Sequence, residues 1–325
     1  MKRLITSDLQ LSDLKRDEYR HLFVEQRLTK LVEKYQPDQL LLLGDLTEQK
    51  DNHPASLVNR IVKQIYNLSQ ICPIKILRGN HEYISIDHPF FEFVEKFENV
   101  KWYNYPERSG NCYFLPHTRN YKEDWKDLDF AGIKYVFTHN IFTGVCAANG
   151  HALSGIPPSI FPDGIRVFSG DVHEPQTFGN ITYIGAPFLC DFGDNYTPRI
   201  VLLDDDKVLS IKVGGAQKRL IDMNWSDPDD RPTYANPGDI VKIRINLEMK
   251  DVAQWAEIRA EVEDWAHKQQ FVVNTIQPIV AYDPGERSST IKHRSKSDDE
   301  YVEGYAKRLG IDKDTLKAGK ELMLD

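Results

Sequence analysis

Within the first 81 residues, three short apolar runs each stop at a polar group, and helical spacing separates one run from the next. The runs cover residues 4–5, 39–43 and 74–77, and they end at Ser7-Asp8, Gly44-Asp45 and Gly79-Asn80-His81. Between them, residues 17–35 place Leu22, Phe23, Leu28, Leu31 and Val32 at helical intervals, and Pro37 ends that pattern. Residues 56–69 repeat it with Leu57, Val58, Ile61, Ile65 and Leu68. Strand, helix, strand, helix, strand predicts an α/β layer in which polar groups stand just past the strand ends. In open α/β sheets ligands bind at those ends.

Further along, apolar runs at 112–115, 133–138, 165–169, 181–184 and 200–203 make the chain strand-rich. The expectation is therefore α/β (α+β), with two sheets forming a sandwich flanked by helices, over residues 1–213. From about residue 214 the character changes, and the stretch MNWSDPDDRPTYANPGD reads as a linker or long loop. Residues 240–247 then alternate. A helix follows with Trp255, Ile258, Val262 and Trp265 on one face, and residues 271–281 read as a returning strand. That β-α-β unit predicts a small second domain over 214–283. Residues 284–296 are polar, and Ser297 with Glu300 forms a capping-box signature ahead of Tyr301, Val302, Tyr305 and Leu309. Leu316, Leu322 and Met323 suggest one more short helix. The stripe on the first of these helices must dock back or meet a partner, so 284–325 is expected to be a flexible segment with partner-docking helices.

The bulk properties narrow the function classes. A net charge of -8 over 325 residues argues against a generally basic nucleic-acid coat. It leaves room for a polyanionic substrate, because bound divalent cations reverse the local field. Cys72, Cys112, Cys146 and Cys190 form no CxxC pair, which suits reduced thiols in a cytoplasmic protein. The longest aliphatic run, residues 40–43, is far too short to span a bilayer, and the N-terminus carries no long apolar leader, so no membrane partner is expected.

Five short motifs line up behind the apolar runs: Asp8-x-Gln10, Gly44-Asp45, Gly79-Asn80-His81, Thr138-His139-Asn140 and Gly170-Asp171-x-His173. Singly each is an ordinary turn or a core histidine; in this order and at this spacing they make a set. The set resembles the five-block signature of the calcineurin-like metallophosphoesterase superfamily, written DxH, GD, GNH-D/E, H and GHxH. The resemblance implies two divalent cations that bind a phosphate and activate water. By that resemblance Asp8, Gln10, Asp45 and His173 would hold the first cation, and Asp45, Asn80, His139 and Asp171 the second. His81 would contact the scissile phosphate and assist the leaving group. Two positions depart from the pattern: Gln10 and Asp171 stand where the family has His. Hard oxygen donors at these positions favour Mn²⁺, with Mg²⁺ next, over Zn²⁺.

Outside the blocks, TYIGAPFLCDFGDNYTPRIVLLDDD and FLPHTRNY are similar to segments of SbcD-type DNA repair exonucleases. That similarity is specific over residues 1–206 and architectural beyond. It implies a DNA exonuclease or endonuclease subunit in a length range that suits a bacteriophage version. The partners it implies are DNA and an SMC-like ATPase; whether the chain also forms a homodimer stays open. Residues 214–283 would correspond to the capping domain. Block two in the family continues as GDLFH; Glu48 stands at that His here, with His53 nearby. Candidate phosphate contacts are Arg78, His117, Arg119, Lys122 and the basic stretch with Arg287, Lys292, His293, Arg294 and Lys296. Two other readings stay open at this stage: a small-molecule phosphodiesterase or phosphatase on the same fold, and a catalytically weak structural subunit.

Overall fold

A computed structural model describes residues 1–280 save 86–87, 148–149, 225–226 and 228–233. The expected C-terminal helices and the basic stretch at 284–296 lie outside the described residues.

The chain opens with β1 (Lys2–Thr6), β2 (Gln39–Leu42), β3 (Ile74–Leu77) and β4 (Val100–Tyr103), neighbours in that order and all parallel. A second sheet follows: β5 (Glu107–Ser109), β6 (Cys112–Leu115), β7 (Tyr135–Thr138), β8 (Arg166–Ser169), β9 (Gln176–Phe178) and β10 (Ile181–Tyr183). Its order is β5-β6-β7-β8-β10-β9, parallel from β6 to β10 with an antiparallel strand at each edge. The antiparallel hairpin β11 (Arg199–Asp204) and β12 (Lys207–Lys212) then returns to the first sheet beside β1. This is the sandwich of two mixed sheets flanked by helices that the sequence predicts.

The continuous apolar runs are explained by burial on both faces of the strands. Leu40 and Leu42 point to the helices, while Leu41 and Leu43 point to the second sheet. Leu4 and Ile5 divide in the same way, as do Ile200, Val201, Leu202 and Leu203. Between the sheets, Ile5, Leu41, Leu77 and Val201 meet Phe114, Tyr135, Phe137 and Phe168. Stacked rings pass through this layer, with Tyr103 on Phe114 at 4.3 Å and Phe137 on Phe168 at 5.7 Å. The outer face of the second sheet packs Val136 and Val167 against Trp125, Phe142 and Phe161.

Helices cover the first sheet. The single helix expected over 17–35 is instead α1 (Glu18–Leu22), a π-helical stretch (Phe23–Leu28) and α2 (Thr29–Tyr35). The wider π turn rotates the apolar face, so that Tyr19, Phe23, Val24, Leu28 and Val32 are buried while Leu22 is 40% exposed. α3 (Ala55–Ser69) follows the predicted pattern, burying Leu57, Ile61, Ile65 and Leu68. A short α4 (Tyr121–Asp124) lies between β6 and β7.

A third sheet carries β13 (Lys218–Asn224), β14 (Ile240–Leu247) and β15 (Val272–Val280), all parallel, with α5 (Trp255–Lys268) crossing over from β14 to β15. Ile221, Val241, Ile243 and Ile245 pack on Ile258 and Val262. The start of the stretch read as a loop, Met223-Asn224, is the end of β13, an edge strand in which Arg219, Leu220, Asp222 and Asn224 stay exposed or half-buried. Buried Lys218 ties this sheet to the N-terminal helical region, its Nζ standing 3.0 Å from Asp17 and donating to the Cys190 carbonyl at 2.8 Å. Among the described residues no helix is long and apolar enough to cross a membrane.

Candidate metal centre

Because β1, β2 and β3 run parallel, the turns carrying Asp8, Asp45 and Asn80-His81 leave the first sheet on one side. β7 and β8 also run parallel and deliver His139 and Asp171 from the second sheet. The two sets of turns are joined directly. Asp8 N–H donates to the Gly44 carbonyl at 3.2 Å, Gln10 N–H to the Asp45 carbonyl at 3.0 Å, and Asp171 N–H to Asp8 Oδ1 at 3.3 Å.

The backbone is held in the left-handed region at four of these residues: Asp8 (φ 53), Gln10 (φ 44), Asp45 (φ 54) and Asp171 (φ 75). Left-handed conformations are uncommon outside glycine and cluster at functional sites, where surrounding structure enforces them. Here they aim three strand ends, those of β1, β2 and β8, into one volume. Gly170 permits the closest approach, since a Cβ there would meet Ser7 Oγ at 2.0 Å and His139 Nδ1 and the Leu43 carbonyl at 2.6 Å. Gly170→Ala is expected to cost about 1–3 kcal/mol by overpacking, measured as a lowered denaturation midpoint; an unchanged midpoint would show that the turn has room.

Ligand atoms of Asp8, Asp45 and His139 all lie within 4.8 Å of one another. His139 donates Nδ1–H to the Leu43 carbonyl, which fixes the ring and turns Nε2 inward, as outer hydrogen bonds do for metal-ligating histidines. Nε2 then stands 3.2 Å from Asp45 Oδ1 and 3.2 Å from Asn80 Oδ1, with Asp171 Oδ1 at 4.0 Å. These oxygens are acceptors, so the convergence needs positive charge at its centre. Burial opposes a charge on His139, but Asp45, then Asp171 and Asp8, raise its pKa well above the usual imidazole value. A proton on Nε2 satisfies the same oxygens that a cation would, and cation binding must release it.

The carboxylates carry the matching strain. Burial, reinforced by the charges of Asp8 and Asp45, pushes Asp171 up to about 6. Burial also raises Asp8, and its Oδ2 is buried with no hydrogen-bond partner among the described residues. Asp45 goes the other way: against burial, His139 and then His81 pull it down to about 2. An orphaned carboxylate oxygen beside an inward-facing imidazole, an amide oxygen and two further carboxylates fits a divalent-cation site. Asp8, Asp45 and His139 form the group that could hold an ion, with Asn80 and Asp171 beside His139; against burial, Cys190 and then Asp8 raise the pKa of His173.

Gln10 contacts the carboxylate of the second block directly. Its Nε2 donates to Asp45 Oδ2 at 2.9 Å, so the amide steadies that carboxylate. Buried Arg20, outside every sequence block, supports it by donating to the Gln10 carbonyl and pairing with Glu48 at 2.6 Å. Glu48, at the position of the family's second-block His, thus serves as a counter-ion for Arg20. His53 packs on Phe90 at 4.3 Å between ring centroids.

His81 sits at the rim, 19% exposed. Its Nδ1 donates to the Thr47 carbonyl at 2.8 Å and its backbone N–H to Asp45 Oδ1 at 3.0 Å, leaving Nε2 3.6 Å from Asp45 Oδ2. Beneath it, Glu82 is fully buried and accepts three backbone N–H groups: Gly79 at 2.8 Å, Asp45 at 3.0 Å and Leu46 at 2.7 Å. Burial, then the charge of Asp45, lifts its pKa to about 7 against those donors. The acidic residue after GNH is visible in the sequence; its role as a clamp between two ligand turns is not.

The candidate phosphate contacts divide. Arg78 is buried, donating to Asn104 Oδ1 at 2.8 Å and to the His117 carbonyl, so it braces the site's wall. His117 is half-buried, its ring 6.4 Å from that of His139. Burial, and then His139, lowers its pKa to about 4, so it is neutral near pH 7. Arg119 and Lys122 are exposed. Asn140 ties their loop to the site by accepting the Thr118 N–H at 3.0 Å.

With this geometry in view, the family comparison is decisive: the sequence model of the calcineurin-like phosphoesterases matches residues 1–203. The chain belongs to the calcineurin-like phosphoesterase family. The match ends within β11, so it covers the second sheet, all of the first but its edge strand β12, and every block of the metal centre. Metal-dependent phosphoester chemistry follows from the family and from the acidic cradle together. Comparison with curated proteins gives no match.

Proposed function

We propose that this calcineurin-like phosphoesterase is a DNA nuclease of the SbcD type, an exonuclease with endonuclease capacity. It hydrolyses backbone phosphodiesters with Mn²⁺ and works beside an SMC-like ATPase. The observation that carries the hydrolytic reading is the convergence of Asp8, Asp45 and His139 under a rim histidine. The oxygen-rich donors favour Mn²⁺, and the sequence similarity described above favours DNA.

When bound, the cations supply Lewis acidity toward the phosphoester and its attacking water. The chain's own residues supply position and protons. Asp8, Gln10, Asp45, Asn80, His139, Asp171 and His173 would hold the cations against which the phosphate is placed. The Thr47 carbonyl holds the proton on Nδ1 of His81, so Nε2 is the atom that exchanges a proton with the departing ribose oxygen. In this reading residues 1–213 are the nuclease domain, 214–283 engage DNA ends as a capping domain, and 284–325 dock the ATPase.

The test is digestion of end-labelled linear duplex on adding Mn²⁺ to chelator-treated full-length protein, with His81→Ala alongside. Wild type should release nucleotides, and His81→Ala should be slower by about a hundredfold or more. Hydrolysis of cyclic nucleotides with duplex left intact would point to a small-molecule phosphodiesterase instead.

A further inference from the structure

The loop after β6 presents a cation beside the metal centre that nothing in the site accounts for. The Arg119 guanidinium carbon lies 4.4 Å from the centroid of the Tyr83 ring. Tyr83 comes two residues after His81, and its ring stands 6.1 Å from that of His117, which in turn neighbours His139. Arg78 also reaches the Tyr83 ring, at 4.5 Å, but its side chain is buried and bonded to Asn104 and His117. Arg119 is exposed, and among the described residues it has no carboxylate partner and no hydrogen-bond acceptor. An arginine at a surface usually finds a counter-ion or moves freely; this one is parked on an aromatic face at the rim, with its donor edge unspent. Its loop is itself anchored, through the Thr118 N–H to Asn140 and the Thr118 hydroxyl to Asp124.

We propose that Arg119, held over the rim by Tyr83, is a clamp for a backbone phosphate flanking the scissile one. The planar fork of a guanidinium matches two phosphate oxygens, and a polymeric phosphodiester has such a neighbour on each side of the cut. This inference deepens the nuclease reading and rests on it. Tyr83 is then a positioning residue, and its contribution is the face of its ring, so phenylalanine should replace it.

Fluorescence anisotropy of a labelled DNA duplex, with the full chain carrying Ca²⁺ in place of Mn²⁺ so that the cation sites are filled while cleavage is suppressed, tests the assignment. Arg119→Ala should weaken binding by about tenfold, the worth of one charge-assisted contact. It should also flatten the dependence of log affinity on log salt by about one unit. Tyr83→Leu should reproduce both changes and Tyr83→Phe neither, with melting temperatures showing that all three variants fold. Weaker binding with an unaltered salt slope would mean that Arg119 stacks on a base, which overturns the phosphate assignment. Wild-type affinity and slope in Arg119→Ala, while wild type binds and cuts duplex, would overturn the inference and leave the nuclease reading standing. Failure of wild type both to bind and to cut duplex would overturn both.

Discussion

Asp45→Asn is expected to abolish metal-dependent phosphodiester hydrolysis, with a loss of about three orders of magnitude or more. Asp45 is the hub of the centre: it faces His139 Nε2 at 3.2 Å, accepts the Gln10 amide at 2.9 Å and the His81 N–H at 3.0 Å. Asparagine keeps the shape but removes the charge that opposes His139 and both cations. One oxygen becomes a donor, which turns toward Gln10 Nε2 or His139, groups that need an acceptor. Cation stabilisation of a phosphoryl transition state is worth several kcal/mol, and each 1.36 kcal/mol is tenfold in rate. Steady-state hydrolysis of bis-p-nitrophenyl phosphate across a Mn²⁺ series measures it. Recovery of wild-type rates at high Mn²⁺ would show that Asp45 only tunes affinity.

Glu82→Ala should be the most destabilising change in the site. The carboxylate accepts N–H groups from Gly79, Asp45 and Leu46, all in a fully buried position. Alanine leaves three buried donors unpaired, each costing about 1–3 kcal/mol. Partial relaxation of the two turns brings the expected loss to about 3–5 kcal/mol, a large share of a typical domain's 5–15 kcal/mol. The same change frees the Asp45 turn from the GNH turn, so metal affinity should fall with stability. Urea denaturation with and without Mn²⁺ separates the two effects; an unchanged midpoint in both conditions would contradict the clamp.

What the sequence disclosed follows burial closely. β1, β2, β3, β6, β7, β8, β10 and β11 lie inside their sheets and carry apolar runs, because most of their residues are buried on both faces. β4, β5, β9, β12 and β13 escaped that reading, and every one of them is an edge strand. Edge strands are short or half-solvated, as in the exposed β12 and in β5, so their patterns carry charges in place of a period. The π turn at Phe23–Leu28 escaped for a different reason, since inserting one residue per turn shifts a helical stripe without changing its composition.

Within the site, the ligand residues were legible because strand-end turns keep them in fixed order. The supporting groups were not. Arg20 reads as an ordinary surface cation on a helix, yet it is buried and joins Gln10 to Glu48. One guanidinium thus ties the first-block turn to the second, which separate motifs do not reveal. Likewise, Arg78 looks like a phosphate contact and acts as a brace, whereas Arg119, on the loop after β6, has no carboxylate partner among the described residues.

The central claim is that these strand ends form a divalent-cation centre. Calorimetric titration of Mn²⁺ into chelator-treated full-length protein, at several buffer ionisation enthalpies, tests it most directly. Saturable binding of two ions per chain is expected, with release of protons, chiefly from His139 and His173, and loss of that binding in Asp8→Ala. Absence of saturable binding by the wild type, or binding that survives unchanged in Asp8→Ala, would contradict it.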